Sequence, residues 1–181
     1  MTDGKPALFL DRDGVINRDS GFVSKVEDFE FFPEIIEICS ISRRLKFPIV
    51  IITNQSGIGR GYFTEGDFWD LTRWMIDEFA KYGIEISLVL HASDNPDLRS
   101  YSPVVSRRKP SPEMFLEAKK KLKINLQKSI MIGDRETDMI AAQRAGVEHR
   151  ILINHDSASS AATIIVANHL ACLSAVKSIL I

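Results

Sequence analysis

The sequence predicts a Rossmann-like, three-layer α/β/α domain built on a parallel sheet. Short apolar runs such as Leu8–Leu10 and Ile49–Ile52 alternate along the chain with segments of helical periodicity, a rhythm typical of parallel sheets with helical crossovers. These runs are apolar throughout, which indicates strands buried on both faces. Because 181 residues with 45% hydrophobic content can build one sizeable core, we expect a single domain over residues 1–181.

Local signals place the individual elements. Pro33 begins one predicted helix, Thr64 with Asp67 three residues later begins another, and Gly83 and Gly146 follow predicted helix ends. We expect strands over Leu8–Leu10, Ile49–Ile52, Ile86–Leu90, Ile130–Ile132, Ile151–Ile153 and, at an edge, Ile164–Val166. We expect helices over Pro33 to about Phe47, Glu65–Tyr82, Ser111 to about Leu122, Glu136–Ala145 and Leu170–Leu180. Residues 91–110 show no periodicity and are predicted to form a long loop.

Composition restricts the classes of partner. The 23 Lys and Arg residues nearly balance 24 Asp and Glu residues, which argues against a general electrostatic grip on nucleic acid or anionic lipid. No apolar run approaches the roughly 20 residues that span a bilayer, and the polar N-terminus does not resemble a signal peptide. Cys39 and Cys172 have no spacing typical of a metal site or disulfide framework. We therefore expect a cytoplasmic protein.

Charged and polar motifs follow three of the predicted strands. Asp11 and Asp13 come directly after the first strand, the segment Thr53–Gly57 follows the second, and Asp134 follows the fourth. Since the carboxyl ends of parallel strands share one edge of the sheet, we expect these side chains to gather there. The Asp11–Gly14 segment taken alone is equally compatible with a solvated turn.

The gathered residue types indicate a particular chemistry. Converging carboxylates need a hard cation, and oxygen ligands with room for water favour Mg²⁺. A hydroxyl group, backbone N–H groups and Lys109, which precedes the helix at 111, suit a phosphoryl group. The sequence therefore predicts Mg²⁺-dependent phosphoryl transfer.

Four motifs in order resemble the haloacid dehalogenase (HAD) superfamily of phosphatases. They are Asp-x-Asp-Gly-Val-Ile-Asn from Asp11, Thr-Asn-Gln-Ser-Gly-Ile-Gly-Arg-Gly from Thr53, Arg-Lys-Pro from Arg108, and Gly-Asp-x-x-x-Asp-Met from Gly133. Within the superfamily the motifs are most similar to the D-glycero-D-manno-heptose 1,7-bisphosphate phosphatases, with histidinol-phosphate phosphatases as close relatives. The resemblance implies a HAD fold, and the sequence has no insertion long enough for a large cap domain. Such folds without a large cap are often monomers with a site open to small phosphate esters, so the resemblance implies a monomer that acts on a small phosphorylated molecule.

The resemblance also implies roles for the residues at the site. Asp11 would be the nucleophile that forms an aspartyl-phosphate, and Asp13 the general acid and base. Thr53 and the N–H of Asn54 would hold the phosphoryl oxygens, and Lys109 would neutralise negative charge.

A metal site is implied by the same motifs. Asp11, Asp134 and the backbone carbonyl of Asp13 would bind Mg²⁺. Asp138 stands one helical turn beyond Asp134, where it either supports the metal site indirectly or stabilises the helix N-terminus.

Substrate contacts are implied for the loop that begins at Asp19 and for Gln55, Arg60 and Arg108, besides Thr53, Asn54 and Lys109. The second phosphate of a bisphosphate requires a cation, for which Arg60, Arg107 and Arg108 are the candidates. Arg135 follows the metal-binding Asp where the family often has Lys.

The chain departs from many relatives in one respect. These relatives carry a Cys-x-His…Cys-x-Cys zinc site before Arg-Lys-Pro, whereas this chain has Leu-His-Ala-Ser over residues 90–93 and Val-Ser-Arg over residues 105–107. His91 alone cannot hold structural zinc, which needs four ligands. We predict no zinc, and a loop ordered by its prolines and by packing.

Three functions remain open on the sequence alone. The first is hydrolysis of a heptose 1,7-bisphosphate at position 7, in the biosynthesis of lipopolysaccharide or other surface glycans, and the Gln-Ser-Gly-Ile-Gly-Arg-Gly stretch favours it. The second is hydrolysis of histidinol phosphate or another small phosphate ester. The third is a non-catalytic HAD binding domain, which the retention of Asp11, Asp13, Lys109 and Asp134 disfavours.

Overall fold

The computed structural model describes residues 4–101, 106–153 and 161–180, and its centre is a six-stranded, wholly parallel sheet. The strands are β1 (Leu8–Leu10), β2 (Ile49–Asn54), β3 (Leu88–Ala92), β4 (Ile130–Gly133), β5 (His149–Ile153) and β6 (Ile164–Val166). Their order across the sheet is β3-β2-β1-β4-β5-β6. The chain adds β2 and β3 on one side of β1 and then places β4, β5 and β6 on the other side. The direction of the strand order therefore reverses between β1 and β4. Ligands of open α/β sheets bind at this kind of reversal.

Helices cover both faces of the sheet, as the predicted three-layer fold requires. They are α1 (Pro33–Arg44), α2 (Ser56–Gly59), α3 (Glu65–Ala80), α4 (Glu113–Leu122), α5 (Glu136–Ala145) and α6 (His169–Leu180). Buried side chains of α1, α3 and α6 pack in one hydrophobic core, and those of α4 and α5 pack in a second core on the opposite face. The central strands alternate between the two cores, since Leu8 and Leu10 belong to the first and Phe9 to the second.

Most predicted elements are confirmed, with shifts at their ends. The cap of α3 forms as expected: Thr64 accepts from the N–H of Asp67, whose carboxylate accepts from the N–H of Thr64. Strand β3 begins and ends two residues later than predicted because its pairing with β2 places Ala92 opposite Asn54. Prediction also missed the four-residue helix α2, which follows β2 after the single residue Gln55.

The predicted long loop is partly structured. Pro96–Tyr101 form a 3₁₀ turn, whereas Pro103 lies outside the described residues. None of the helices in the described part of the chain combines the length and hydropathy that crossing a bilayer requires.

Candidate active site

A cleft of about 530 Å³ opens where β1, β2 and β4 end. The predicted site residues line it, except for Arg107 and for Asp134, whose carboxylate lies beside those of Asp11 and Asp138. The cleft is lined by Asp11, Asp13, Asp19, Gly21, Phe22, Thr53, Asn54, Gln55, Ser56, Gly57, Arg60, Pro96, Arg108, Lys109, Arg135, Glu136, Thr137 and Asp138. The sheet edge thus brings together residues from distant parts of the sequence.

Lys109 is the central cation of the inner cleft. Its ammonium group lies 2.9 Å from Asp11 Oδ1 and 2.7 Å from Asp138 Oδ1, and it donates a 2.8 Å hydrogen bond to the Ile52 carbonyl. Burial opposes the charged form of Lys109, yet the two neighbouring carboxylates outweigh it and raise the pKa of the ammonium group. Lys109 is therefore a permanently charged cation, with its donors already directed at acceptors.

Asn54 positions Lys109 through the backbone. The side-chain oxygen of Asn54 accepts from the Lys109 N–H at 3.0 Å, and its amide nitrogen donates to the Lys109 carbonyl at 3.2 Å. This paired contact joins the end of β2 to the segment that precedes α4. Asn54 therefore holds the main chain at Lys109, besides lining the cleft.

Two glycines allow the carboxylates to approach the backbone. A Cβ atom on Gly133 would lie 2.5 Å from Asp138 Cβ, and one on Gly14 would lie 2.3 Å from Asp134 Oδ2. Gly14 also has a φ of +85°, a conformation that side chains other than glycine rarely adopt. Both glycines are therefore required for the close packing of the acidic groups.

Three carboxylates form an acidic cluster: one oxygen each from Asp11, Asp134 and Asp138 lies within 4.8 Å of the others. Burial raises the pKa of Asp11 to about 8, since the attraction of Lys109 only partly offsets burial and the repulsion of Asp138 and Asp134. Burial, with repulsion from Asp138, likewise raises the pKa of Asp134 to about 7. Asp134 Oδ1 is buried, and none of the described residues donates a hydrogen bond to it. A hard divalent cation fits this donor set, because it would satisfy the unpaired oxygen and offset the repulsion.

Of the two roles that the sequence left open for Asp138, the structure shows the one at the N-terminus of the helix, and it adds a contact with Lys109. Its Oδ2 accepts from the N–H of Arg135 at 3.0 Å, which caps α5, while its Oδ1 pairs with Lys109. The side chain is 1% exposed, so both contacts are shielded from water.

Arg12 lies between Asp11 and Asp13 in the sequence and makes contacts that the sequence analysis missed. Its guanidinium group is 1% exposed and pairs with both carboxylate oxygens of Asp13, at 2.9 and 3.0 Å. It also donates at 2.7 Å to the carbonyl of Val23, which closes the loop from Asp19. A basic residue inside an acidic motif was the only signal for this contact in the sequence.

Gln55 joins the predicted general acid to the predicted phosphoryl-binding hydroxyl. Its Nε2 donates to Asp13 Oδ2 at 2.9 Å and to Thr53 Oγ1 at 2.8 Å, and its Oε1 accepts from Arg12 at 3.2 Å. Asn17 adds a 3.1 Å hydrogen bond to Asp13 Oδ1. Asp13 is thus held on several sides.

Exposed ion pairs surround the mouth of the cleft. Arg135 pairs with Asp19 at 2.9 Å, and Arg60 pairs with Asp97 at 2.7 Å. Arg107, one of the three candidates for a second phosphate, instead pairs with Glu117 of α4 and does not line the cleft.

The loop after β3 is anchored by hydrogen bonds and close backbone packing. Ser106 donates to Asp94 Oδ2 at 2.7 Å, and a Cβ on Gly59 would lie 2.5 Å from the backbone nitrogen of Asn95. Residues 102–105 lie outside the described part of the chain. His91 pairs with Glu65 at 2.5 Å, as expected of a histidine with a structural role at a strand end.

Comparison with known proteins identifies the family. A family model for HAD-hydrolase-like proteins matches residues 106–170. The chain is 42% identical over 151 residues to a D-glycero-beta-D-manno-heptose-1,7-bisphosphate 7-phosphatase of Vibrio cholerae, which covers 82% of this chain and 81% of the relative. It is 42% identical over 159 residues to the corresponding alpha-named enzyme of Burkholderia mallei, with 87% and 84% covered.

The fold agrees with this relationship. The crystal structure of D,D-heptose 1,7-bisphosphate phosphatase from B. bronchiseptica, complexed with magnesium and phosphate, superposes with a TM-score of 0.82 at 23% identity, covering 96% of this chain and 98% of that one. The sequence identity to curated relatives over most of their length assigns the chain more finely than the fold does. The chain belongs to the D-glycero-D-manno-heptose-1,7-bisphosphate 7-phosphatase family of HAD-like hydrolases.

Proposed function

We propose that the protein is a Mg²⁺-dependent phosphatase that hydrolyses D-glycero-D-manno-heptose 1,7-bisphosphate at position 7 through an aspartyl-phosphate. The observation that carries the proposal is the convergence of Asp11, Lys109, Asp134 and Asp138 in a buried cluster at the point where the strand order reverses. Relatives of 42% identity with this activity in their names support the choice of substrate.

Asp11 is the nucleophile in this proposal. One of its carboxylate oxygens attacks the phosphorus atom, the ester bond to the sugar breaks, and the phosphoryl group is transferred to Asp11. Lys109, 2.9 Å from Asp11, balances charge on the carboxylate and on the phosphoryl oxygens. Thr53 and the backbone N–H of Asn54 bind those oxygens at the end of β2.

Asp13 moves the protons in the two steps. Its carboxylic acid protonates the departing sugar alkoxide, and the resulting carboxylate takes a proton from the water that hydrolyses the aspartyl-phosphate. Arg12, Gln55 and Asn17 hold this carboxyl group. Arg12 and Asn17 act as positioning residues, and Gln55 both positions Asp13 and lines the cleft.

The carboxylates of Asp11 and Asp134 and the backbone carbonyl of Asp13 would hold Mg²⁺. Bound there, the ion would supply positive charge to the phosphoryl group during transfer. Asp138 acts indirectly, through Lys109 and the N–H of Arg135.

Asp19, Gln55, Arg60, Arg108 and Arg135 surround the rest of the substrate. All five line the cleft and come from loops that follow β1, β2, β3 and β4. The two relatives of 42% identity are named for opposite anomers, so the proposal covers both heptose 1,7-bisphosphates and leaves the preference to measurement.

We further propose a single domain that works without zinc, as a monomer in the cytoplasm, on a small phosphorylated sugar and without nucleic acid or membrane. Cys39 on α1 and Cys172 on α6 are both buried in the hydrophobic core and neither belongs to the loop after β3, which supports the absence of a zinc site there. Phosphate removal from a heptose bisphosphate prepares a sugar for activation in the synthesis of surface glycans.

A substrate panel tests the proposal. Phosphate release is measured with Mg²⁺ and with EDTA for both anomers of the heptose bisphosphate, for histidinol phosphate and for common sugar phosphates. We expect the highest kcat/KM with a heptose bisphosphate and loss of activity in EDTA. Preferred turnover of histidinol phosphate would move the protein to the neighbouring activity, and no turnover by folded protein would indicate a non-catalytic domain.

A further inference from the structure

Arg60 lines the cleft, where substrate can reach it, and forms an ion pair with a carboxylate of the protein. It caps the C-terminus of α2, lines the cleft, and has a side chain that is 26% exposed. Its Nη1 lies 2.7 Å from Asp97 Oδ2, an acidic side chain of the loop after β3. The partly buried cation is therefore already paired with an anion of the protein.

The guanidinium group retains donor capacity beyond this pair. Its Nε is buried and has no hydrogen-bond partner among the described residues. Five N–H groups in a planar fork suit an acceptor with several oxygens, such as phosphate, better than a single carboxylate contact does. A phosphate at this position would meet a donor that Asp97 leaves unused.

The turn that carries Asp97 is anchored, while its carboxylate is exposed. The Asp97 N–H donates to Asn95 Oδ1 at 3.0 Å, and the backbone of Asn95 packs against Gly59 beside Arg60. The Asp97 side chain itself is 64% exposed. Rotation of the side chain into solvent would therefore release Arg60 without displacing the loop.

A heptose bisphosphate brings two phosphates into one cleft, and the proposed function assigns only the reacting one to Asp11 and Lys109. We propose that Arg60 receives the second, non-reacting phosphate and that Asp97 competes with it for the guanidinium group. Asp97 thereby weakens the binding of bisphosphates relative to monophosphates and is a residue that sets substrate selectivity. This inference rests on the proposed function.

The test compares the variant Asp97→Asn with wild type, using the heptose 1,7-bisphosphate and the heptose 7-phosphate as substrates. Because exposed ion pairs contribute up to about 1 kcal/mol, we expect KM for the bisphosphate to fall by about 2- to 5-fold with little change in kcat. The ratio of kcat/KM for bisphosphate over monophosphate should rise by the same factor.

Asp70→Asn is the matched control. Asp70 is a similarly exposed carboxylate, at 71% against 64% for Asp97, that pairs with Arg73 on α3 and does not line the cleft, so its removal subtracts the same charge elsewhere. We expect its selectivity ratio to equal that of wild type. An equal increase of the selectivity ratio in both variants would overturn the inference, because the loss of one negative charge anywhere on the protein would then explain the increase.

The remaining outcomes separate this inference from the proposed function. An unchanged or higher KM in Asp97→Asn, with wild type active on the bisphosphate, would overturn the competition and leave the function intact. Failure of wild type to hydrolyse the bisphosphate would overturn both. Binding of the bisphosphate to Asp11→Asn and to Asp11→Asn/Asp97→Asn, measured by calorimetry, should show the same gain without turnover.

Discussion

The inner part of the cleft and its rim use the same ionic groups in different surroundings. In the Lys109–Asp138 pair at the inner end of the cleft, each side chain is 1% exposed. The Arg135–Asp19 pair at the rim is 64% and 27% exposed. Both pairs are closer than 3 Å, so burial and not contact distance distinguishes the two regions.

The difference in burial separates the residues that act on the reacting phosphoryl group from those that bind the rest of the substrate. Charges in a low-dielectric interior interact strongly and hold one arrangement, which suits groups that must meet a reacting phosphoryl group. Exposed pairs contribute about 0–1 kcal/mol and can exchange one partner for a substrate. We therefore expect substitutions in the inner part to cost far more than those at the rim.

The largest effect is expected for Asp11→Asn. The amide is a poor nucleophile, so kcat/KM should fall by about 10³-fold or more. The fold should persist, because Lys109 keeps its contacts with Asp138 and Ile52. Steady-state kinetics and thermal unfolding measure the two quantities, and activity within tenfold of wild type would refute Asp11 as the nucleophile.

Arg12→Met should cost about 3 kcal/mol of unfolding free energy. The substitution leaves Asp13 without its buried cation and the Val23 carbonyl without a donor. Urea denaturation measures the loss. Arg18→Met is the control, since Arg18 forms an exposed pair with Glu30, and we expect it to change stability by less than about 0.5 kcal/mol. Equal losses in the two variants would remove the distinction between buried and exposed pairs.

Metal-free protein should lose stability as the pH rises from about 4 to about 8. The pKa of Asp11 is raised from 3.8 to about 8 in the folded state, so that state keeps a proton that the unfolded chain has released. Asp134, with a pKa raised to about 7, acts in the same direction. We expect a decline of about 2 kcal/mol in EDTA, reduced in Asp11→Asn and reversed by Mg²⁺. Higher stability at pH 8 than at pH 5 in EDTA would contradict the buried acidic cluster.

The smallest effect is expected at the rim, for Arg135→Gln. Loss of its exposed contact with Asp19 should raise KM for the heptose bisphosphate about twofold and leave kcat nearly unchanged. Arg73→Gln, whose exposed pair with Asp70 on α3 lies outside the cleft lining, serves as control in the same assay. A fall in kcat of tenfold or more would place Arg135 with the inner residues.

Sequence reasoning reached the fold and the gathering of the motifs because both follow from local patterns. The helix Glu136–Ala145 and the strand Ile164–Val166 were predicted with their observed bounds, since periodicity and a terminal glycine or an apolar run define them. The shift of β3 arose because pairing with β2, a long-range contact, determines where that strand ends.

The contacts that order the site were less accessible from the sequence. The position of Arg12 inside an acidic motif did not show that it would be buried, because burial of a cation depends on partners farther along the chain, such as Val23 and Gln55. Asp97 lies in a segment without periodicity, so its ion pair with Arg60 could be identified only from the three-dimensional structure. Asp138 caps α5, as one of its two predicted roles proposed, but its ion pair with Lys109, a residue 29 positions earlier in the chain, had no local signal.

The proposed roles of Asp11 as nucleophile and Asp13 as general acid and base are tested most directly with the variant Asp13→Asn and p-nitrophenyl phosphate as substrate. The leaving group of this ester departs as an anion without needing a proton, so transfer to Asp11 can proceed while hydrolysis of the aspartyl-phosphate lacks its general base. We expect a burst of about one nitrophenolate per enzyme, followed by slow turnover. The peptide that contains Asp11 should gain the mass of one phosphoryl group, and Asp11→Asn/Asp13→Asn should lack the gain. Turnover at the wild-type rate with no phosphorylated peptide would contradict these roles.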